Sequence, residues 1–391
     1  MMYKVIVIGG GASGIITAIE SAKRFGGEKV CLLEAGVRIG KKLLATGNGR
    51  CNLSNADMSL SHYHGDVNLA ESALGVFGSD KLKEYFNRLG VMLTEEDGKI
   101  YPMSLQANSV LDMLLYKLQD CGVVVKTDSK VTGVKKTGNL FKTTCQNGKV
   151  YESENLVFAT GGSSGNSFGT DGKSFSLIES LGHRVTDLSP SLVKLKCDTK
   201  RFNALRGIKV KAKVTLLTGD KQEGSVTGDL LFTDGSISGN TVFSLSSLIT
   251  DVKRTSLQID FLPTVSEKEL TDFLAEKKRT CPYLPPDELF TGIVNKQLGK
   301  IIYKLADGDL TKCVSLVKNM RISINDTVGF NDSQVTKGGV PADEINEKTF
   351  ESRLVNKLFL AGEMLNVDGD CGGYNLHFAF ASGYVIGNGI K

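Results

Sequence analysis

The stretch Lys4-Val5-Ile6-Val7-Ile8-Gly9-Gly10-Gly11-Ala12-Ser13-Gly14 opens the chain and decides its fold. Its first part, up to Ile8, is a short β-branched run that is typical of a buried parallel strand. The glycines follow at once, and residues 15–24 then place apolar side chains along one face of a helix. A second apolar run, residues 29–33, predicts the next strand. This order of strand, glycine turn, helix and strand predicts a Rossmann-type unit.

Each glycine of the Gly-x-Gly-x-x-Gly pattern has a physical task in binding a dinucleotide. Gly9 permits the tight turn, Gly11 lets the backbone approach a pyrophosphate, and Gly14 lets helix and strand pack closely. The helix N-terminus offers unpaired N–H groups to the phosphates. Glu34, 20 residues after Gly14, can accept hydrogen bonds from both ribose hydroxyls, which argues against a 2′-phosphate there.

The C-terminal part of the chain favours FAD over NAD as the dinucleotide. Residues 358–363 read as a strand that ends in glycine and an acid, residues 368–375 form a glycine-rich loop, and residues 376–387 read as a helix. A late strand, loop and helix that return to the first domain can hold the ribityl chain and ring of a flavin. The helix N-terminus near Gly373 places partial positive charge at that point.

Composition and charge exclude several classes of protein. The 391 residues are 41% hydrophobic and 23% charged, enough for two or three globular domains. The net charge of +4 is spread along the chain without aromatic interleaving, so we expect no nucleic-acid partner. The eight cysteines include no C-x-x-C pair, which disfavours a zinc ribbon, an iron–sulfur site or a redox dithiol motif.

The sequence also predicts where the protein works. No leader-type segment precedes the first strand, and no segment reaches the ~18 apolar residues of a membrane span. We therefore expect a cytoplasmic protein with free thiols and no membrane partner. The sequence leaves the oligomeric state open.

Residues 41–55, KKLLATGNGRCNLSN, resemble the signature of the BaiN/YhiN-like bacterial flavoproteins. That family is often labelled NAD(P)/FAD-dependent oxidoreductase or aminoacetone oxidase-like. Further matches are residues 161–162 with 169–172, then 335–340, and last 362–383. The resemblance implies an α/β protein with a Rossmann-like, glutathione-reductase-type FAD domain in two segments. A β-barrel-like insertion with a small helical subdomain interrupts that domain.

The expected boundaries follow from this layout. The FAD domain takes residues 1–190 plus 328–391, the β-rich insertion takes 191–260 plus 320–327, and the helical subdomain takes 261–319. Alternation of apolar and polar residues over 209–217 and a capped, helix-periodic segment over 266–278 agree with it.

The resemblance, carried over residue by residue, implies a set of positions for non-covalently and tightly bound FAD. Those for the ADP half are Gly9, Gly11, Ala12, Ser13, Gly14, Glu34 and Ala35. Those leading past the pyrophosphate to the ring are Lys42, Thr46, Gly49, Arg50, Cys51 and Asn52. Those for the ribityl chain and ring edge are Gly362, Glu363, Asp370, Gly373, Tyr374 and Asn375.

Four further cofactor positions come from the strands themselves. Backbone groups around Val131 can meet the adenine edge, and Ala159, Thr160 and Gly161 end a buried strand in a tight glycine turn.

Two side chains are candidates for catalysis. A fixed Arg50 guanidinium beside a flavin can hold a carboxylate or carbonyl oxygen or stabilise charge on the ring, although it can equally anchor the loop or a phosphate. His377 can donate a proton to substrate or serve a structural role at the helix start.

Three other motifs are weaker. Residues 161–165 match the G-x-S-x-G elbow of α/β hydrolases, but the helix that must follow the serine starts too late. His62 and His64 lack a third ligand nearby, so we expect no metal. Cys51 and Cys371 can form a flavin-linked dithiol only if they meet, and small packed residues are the simpler interpretation.

Together these features predict an FAD-dependent oxidoreductase of a small-molecule substrate. Because no second Gly-x-Gly-x-x-Gly follows a strand, NAD(P)H would act as a transient donor. The resemblance suggests hydride transfer through flavin N5 to an enone-like acceptor, including a steroid or bile acid. The alternatives are a flavoprotein oxidase of a small amine, and a non-catalytic FAD-binding module with a partner macromolecule.

Overall fold

The computed structural model describes residues 2–198, 200–249 and 251–391. They form two compact units, one made of the residues up to Pro190 together with Gln334–Lys391 and the other of Ser191–Ser333. The expected finer separation of residues 261–319 from the rest of the insertion stays a prediction.

The strands of the described residues are mostly short. In chain order they are β1 (Met2–Ile8), β2 (Val30–Leu33), β3 (Ser54–Asn55), β4 (Tyr63–Gly65), β5 (Leu93–Glu96), β6 (Lys99–Pro102), β7 (Val124–Lys126), β8 (Val131–Thr137), β9 (Leu140–Cys145), β10 (Val150–Phe158), β11 (Ser189–Ser191), β12 (Leu195–Cys197), β13 (Lys209–Thr218), β14 (Lys221–Thr233), β15 (Ser236–Ser238), β16 (Thr255–Asp260), β17 (Met320–Thr327), β18 (Val335–Lys337), β19 (Leu358–Leu360) and β20 (Val367–Gly369).

The α-helices range from one turn to more than four. They are α1 (Ala12–Phe25), α2 (Lys41–Ala45), α3 (Val67–Val76), α4 (Ser79–Arg88), α5 (Ala107–Asp120), α6 (Phe175–Glu179), α7 (Asn240–Ser246), α8 (Glu267–Thr280), α9 (Lys296–Leu305), α10 (Leu310–Asn319) and α11 (Tyr374–Gly389). Helices α3, α4 and α5 lie between the predicted motifs and were not anticipated by them.

The central sheet of the first unit has the order β7-β2-β1-β10-β9-β8, and β19 also pairs with β10. The pairs β1–β2, β1–β10, β2–β7 and β10–β19 are parallel. Val5, Ile6 and Val7 of β1 are fully buried, as expected of a central parallel strand covered on both faces. The sheet order confirms the predicted Rossmann-type fold, and an antiparallel extension, β8–β9, adds to one side of β10.

Close packing of α11 on α1 brings the two ends of the chain together. A Cβ placed at Gly383 would lie 2.4 Å from the carbonyl oxygen of Ser13, so only glycine permits this approach. Thr17 Oγ1 lies 3.2 Å from the carbonyl oxygen of Gly383 across the same contact. The tenth residue of α11, Gly383, therefore lies beside the first turn of α1.

The second unit contains a closed barrel of order β12-β15-β14-β13-β16-β17, which confirms the predicted barrel-like insertion. Apolar side chains of the barrel and of the helices α8, α9 and α10 share one core. Ser266 is the N-cap of α8 and forms a capping box with Glu269. Its side chain accepts a hydrogen bond from Glu269 N, and the Glu269 carboxylate accepts one from Ser266 N.

None of the helices in the described residues is long and apolar enough to cross a lipid bilayer.

Candidate functional site

The turn between β1 and α1 is closely packed at Gly9 and Gly14 and open at Gly11. A Cβ at Gly9 would lie 2.4 Å from the carbonyl oxygen of Ala159, and one at Gly14 would lie 1.9 Å from that of Gly9. At Gly11, in contrast, a Cβ would meet nothing within 4 Å. The backbone is therefore exposed at Gly11, where the N-terminus of α1 begins, and this is the shape that a pyrophosphate requires.

Glu34 lies directly beside this turn. Its carboxylate accepts hydrogen bonds from Gly10 N at 2.8 Å and from Gly36 N at 2.7 Å. Each oxygen keeps a second lone pair, so ribose hydroxyls can still donate to it. Ser129 N donates to the Glu34 carbonyl oxygen at 2.8 Å, which brings the start of β8, at Val131, close to this end of β2.

The positions at the end of β10 lie along the same edge of the sheet. Ala159 N donates to the carbonyl oxygen of Ile8 at 2.8 Å, so the ends of β1 and β10 are neighbours. Ala159 is buried, and Thr160 and Gly161 beyond it are half-buried. The G-x-S-x-G segment 161–165 leads into a 3-10 turn at Asn166–Phe168, and the next helix, α6, begins only at Phe175. This is not the strand–serine–helix geometry of a hydrolase elbow.

Residues 46–51 follow the short helix α2 in an unusual backbone conformation. Gly47, Asn48, Gly49 and Cys51 all have φ between 56° and 83°. Cys51 is fully buried, and burial raises the pKa of its thiol to about 12. The Cys371 thiol also has its pKa raised by burial, and both cysteines are free. Neither residue has the features of a reactive thiolate.

The loop after α2 and the loop before α11 contact each other directly. Asn55 Nδ2 donates to the carbonyl oxygen of Gly372 at 3.0 Å. A Cβ at Gly373 would lie 2.5 Å from the carbonyl oxygen of Ser54, so this approach also requires glycine. Two segments that are more than 300 positions apart, both matched to flavin binding by the resemblance, thus form one continuous wall.

The loop before α11 is fixed by Asn375 in the first turn of the helix. Its side-chain oxygen accepts from Gly369 N at 2.8 Å, and its amide donates to the Gly369 carbonyl at 2.6 Å. Asn52 Oδ1, which would lie 2.9 Å from a Cβ at Gly373, is buried and has no hydrogen-bond partner among the described residues. A helix N-terminus next to an unpaired buried acceptor fits the edge of a flavin ring, which carries both acceptors and an N–H donor.

Arg50 is held by a hairpin that the sequence analysis did not identify. Its Nη1 lies 3.0 Å from Glu96 Oε2, its Nη2 lies 3.3 Å from Tyr101 Oη, and the guanidinium stacks 4.5 Å from the Tyr101 ring centroid. The Arg50 side chain nevertheless stays 42% exposed. The dipeptide Asp97-Gly98 between β5 and β6 is a hairpin signal that could have revealed this support.

The surroundings of His377 correct its suggested role as a proton donor. The ring is fully buried, with Nδ1 2.7 Å from Ser54 Oγ and Nε2 2.7 Å from the carbonyl oxygen of Phe77. The carbonyl can only accept, so Nε2 donates to it and Nδ1 accepts from Ser54. Burial lowers the pKa of His377 to about 4, so the ring is neutral and has no nitrogen open to a substrate.

His62 and His64 contact a carboxylate of the predicted flavin site. His62 Nδ1 lies 3.0 Å and His64 Nε2 2.9 Å from the two oxygens of Asp370. The two histidines thus engage both oxygens of the Asp370 carboxylate, and its side chain stays 31% exposed. Tyr374 is buried, and its ring stacks on that of His62 at a centroid distance of 4.5 Å.

The family described as HI0933-like protein Rossmann domain matches residues 3–389. A 3-dehydro-bile acid delta(4,6)-reductase of Clostridium scindens is 36% identical over 403 residues, covering 99% of this chain and 98% of that protein. A ribosomal RNA dihydrouridine synthase of Haemophilus influenzae is 28% identical over 404 residues, covering 99% and 98%.

Solved structures share the fold at low identity. A 3-ketosteroid-delta4-(5alpha)-dehydrogenase of Rhodococcus jostii has a TM-score of 0.50 at 16% identity and covers 99% of this chain and 96% of that chain. The E. coli quinol fumarate reductase has a TM-score of 0.52 at 14% identity and covers 99% of this chain and 69% of that chain.

These comparisons confirm the resemblance that residues 41–55 indicated. The fold neighbours share the Rossmann-type architecture, and the reductase of Clostridium scindens is similar to this chain over nearly its whole length. With the match running from residue 3 to residue 389, the chain belongs to the HI0933-like family.

Proposed function

We propose that this protein is an FAD-dependent reductase that delivers hydride to a carbon–carbon double bond conjugated to a carbonyl group. The observation that carries the proposal is the wall formed by the loop after α2 and the loop before α11, together with the open turn at Gly11. Lys42 Nζ of α2 also lies 2.6 Å from Glu363 Oε2, in the turn after β19. A pyrophosphate fits the Gly11 turn, and a flavin edge fits the wall.

The relatives' names support the reaction class. A delta(4,6)-reduction of a 3-oxo bile acid and the conversion of uridine to dihydrouridine both saturate a carbon–carbon double bond next to a carbonyl group. The two substrates differ greatly in size and charge, but in both a carbonyl group activates the double bond toward hydride addition. Hydride goes to the far carbon of the double bond, and charge develops on the carbonyl oxygen.

The described residues would hold FAD in three parts. Gly11 and the N-terminus of α1 would bind the pyrophosphate, with Glu34 at the adenosine ribose, and Glu363 and Asn52 would face the ribityl chain and ring edge. When bound, FAD supplies hydride through N5. The chain supplies position, charge and exclusion of water.

Arg50 is the residue that we assign to the substrate carbonyl. Glu96 and Tyr101 hold its guanidinium in place, and part of the group stays exposed. A pre-oriented cation stabilises the oxygen charge that develops as hydride arrives, without reorganisation at that moment.

We assign the role of electron donor to NAD(P)H, docking transiently at the flavin. The sequence has one Gly-x-Gly-x-x-Gly after a strand, and this single fingerprint is the one that we assign to FAD. The small-molecule acceptor that we favour is a 3-oxo steroid of the bile-acid type, because that relative is the more similar of the two.

One observation favours uridine in RNA as a second candidate. Residues 191–333 hold 21 Lys and Arg against 17 Asp and Glu, whereas the remaining residues hold 26 of each. The excess of positive charge thus lies in the inserted unit, which corrects the expectation that it is spread along the chain. Lys209, Lys211 and Lys213 are exposed along β13. Cationic surfaces of this kind bind the phosphate backbone without reading sequence.

The test is an anaerobic reaction of the FAD-loaded protein. NADH or NADPH is added first, and loss of the visible flavin band reports reduction. A 3-oxo-4,6-diene steroid and a uridine oligonucleotide are then added in separate cells. Recovery of the band with the steroid supports the proposal, and recovery with the oligonucleotide alone supports the second candidate. Recovery with oxygen only, after reduction by a small amine, would instead show an oxidase.

A further inference from the structure

A short ribbon beside the predicted flavin loop brings four titratable side chains together. Strand β4 pairs antiparallel with β20, and His64 lies directly opposite Asp368. His62 directly precedes β4 and Asp370 directly follows β20, so both lie at the ends of the same ribbon.

Three of these groups form a hydrogen-bonded chain that reaches the surface. Asp370 accepts from His64 Nε2 at 2.9 Å and from His62 Nδ1 at 3.0 Å, and His62 Nε2 lies 3.2 Å from Asp57 Oδ2. The Asp57 side chain is 66% exposed, while the side chains of the two histidines and Asp370 are about one-third exposed. A proton therefore has a continuous path from solvent to His64.

Asp368 is the buried member of the group. It is 1% exposed, and neither carboxylate oxygen has a hydrogen-bond partner among the described residues. An unpaired buried carboxylate is costly, so the site favours its neutral form. Burial raises the pKa of Asp368, and the charges of Asp370 and Glu363 raise it further, whereas His64 and Lys337 oppose them.

The histidines carry the opposite tendency. The hydrogen bond to Asp370 raises the pKa of His64 above its usual range. Burial acts to lower the pKa of His62, but Asp370 and Asp57 outweigh it and raise that pKa. Burial acts to raise the pKa of Asp370, but the hydrogen bonds and charges of His64 and His62 outweigh it, so the pKa of Asp370 is lowered. Both histidines thus have a raised pKa, next to a buried carboxylate whose pKa is also raised.

The ribbon borders the loop where charge changes under the proposed function. Asp370 lies two residues before Gly372, and the His62 ring stacks on Tyr374, the first residue of α11. Hydride received from NAD(P)H brings two electrons and one proton, and leaves one negative charge near this loop.

We propose that Asp368, His64, Asp370 and His62 form a proton-exchange unit that balances this charge. Asp368 takes up one proton as an O–H bond forms on its carboxylate. The proton comes from solvent by way of His62, Asp370 and His64, the residue opposite Asp368 across the ribbon, and the histidines end in the protonation state in which they began. When the hydride passes on to the acceptor, the negative charge near the loop is removed and Asp368 releases its proton. That proton and the hydride together are the two hydrogens that saturation of a double bond requires. These are positioning residues, and the role rests on the proposed function.

The first experiment counts protons without using turnover. The FAD-loaded protein is reduced electrochemically with mediators at a series of pH values, and the slope of the midpoint potential against pH gives the protons taken up per two electrons. Near neutral pH we expect Asp368→Asn to take up about one proton fewer than the wild-type protein. His64→Gln, which keeps a donor to Asp370, should reduce the proton uptake by less than Asp368→Asn does. Asp120→Asn, an exposed carboxylate change on α5, is the matched control.

The second experiment needs no cofactor at all. The chain has four histidines, so their ring signals can be followed by NMR during a pH titration of the cofactor-free protein. We expect His62 and His64 to titrate as a coupled pair above the ordinary value, Asp370→Asn to lower both pKa values, and Asp368→Asn to change His64 more than His62.

Two results would overturn the inference. One is an equal proton count in the wild-type protein and Asp368→Asn, and the other is independent, ordinary titration of the two histidines. Failure to reduce any conjugated acceptor would refute the proposed function alone, because neither experiment depends on an acceptor.

Discussion

Lys42 Nζ lies 2.6 Å from Glu363 Oε2, although the two residues are 321 positions apart in the chain. Glu363 Oε1 accepts in turn from Thr336 N at 2.8 Å. The pair ties the helix after the first βαβ unit to the turn after β19, so the N-terminal and C-terminal parts of the predicted site form one surface. Both side chains stay partly exposed, at 28% and 19%, and are accessible to a ligand.

Removing this pair should weaken FAD binding more than folding. A partly exposed ion pair contributes about 0–1 kcal/mol to stability, so Lys42→Met should leave the melting temperature of the cofactor-free protein nearly unchanged. The FAD dissociation constant, measured by fluorescence quenching, should rise about tenfold, because the loop would lose its tie and a cation. A large drop in melting temperature with unchanged affinity would contradict this account.

Two glycine substitutions separate ligand contact from fold. Gly11→Ala places a methyl group in open space, so the protein should fold normally but bind FAD at least tenfold more weakly. Gly14→Ala would drive a methyl group into the Gly9 carbonyl, so it should destabilise the fold itself. Gly75→Ala in α3, also in open space, is the control for an added methyl group and should bind FAD normally. Normal FAD affinity in Gly11→Ala would refute the pyrophosphate assignment.

Arg50→Lys should slow the transfer to the acceptor selectively. A lysine cannot keep the contacts to both Glu96 and Tyr101 that fix the guanidinium, and losing one fixed donor to a developing oxyanion typically costs about 100-fold in rate. Stopped-flow traces should show slow flavin reoxidation by the steroid and nearly normal reduction by NAD(P)H. Glu96→Gln should give a smaller effect in the same step. Equal slowing of both half-reactions would point to a loop-anchoring role.

His377 should affect the free energy of unfolding and its dependence on pH, and not the catalytic step. An ordinary histidine in the unfolded chain takes a proton near pH 6.5, whereas burial holds the folded-state pKa at about 4. The folded state therefore loses stability as pH falls through this window, by about 2 kcal/mol between pH 7.5 and pH 5. His377→Gln should lose less over the same interval in urea denaturation. Turnover per bound FAD should change little, and a loss of turnover at unchanged FAD occupancy would restore a catalytic role.

Asp368→Asn should stabilise the cofactor-free protein at high pH. The folded-state pKa of Asp368 is raised, so the folded state binds the proton more tightly and loses stability as pH rises from the unfolded value through the folded one. Relieving a buried, unpaired carboxylate should gain about 1–3 kcal/mol near pH 8 and nothing near pH 3. Equal effects at both pH values would show that the charge is not the cause.

The parts that sequence reasoning reached are those where a local pattern dictates geometry. The Gly9–Gly14 turn, β1, α1 and Glu34 follow from backbone requirements within a few residues. The contacts of Lys42 with Glu363 and of Asn55 with Gly372 join distant segments, and no local periodicity reports them. Their proximity was implied only by the family resemblance.

The roles of individual polar side chains were the least accessible. His377 follows a glycine-rich loop like a functional residue, but its burial depends on Phe77 and Ser54 from elsewhere in the chain. The partner of His62 and His64 is Asp370, 306 and more positions away, so the two histidines read as an isolated pair. A local sequence motif does not predict a hydrogen-bond partner that only the tertiary structure brings close.

The most direct test of the central claim is a single anaerobic mixing experiment. FAD-loaded protein, reduced stoichiometrically, is mixed with a 3-oxo-4,6-diene steroid, and the visible flavin band and the mass of the steroid are followed together. We predict that the band returns with one equivalent of steroid, which gains two hydrogens. A protein that stays reduced with every conjugated acceptor, or that never retains FAD, would contradict the account.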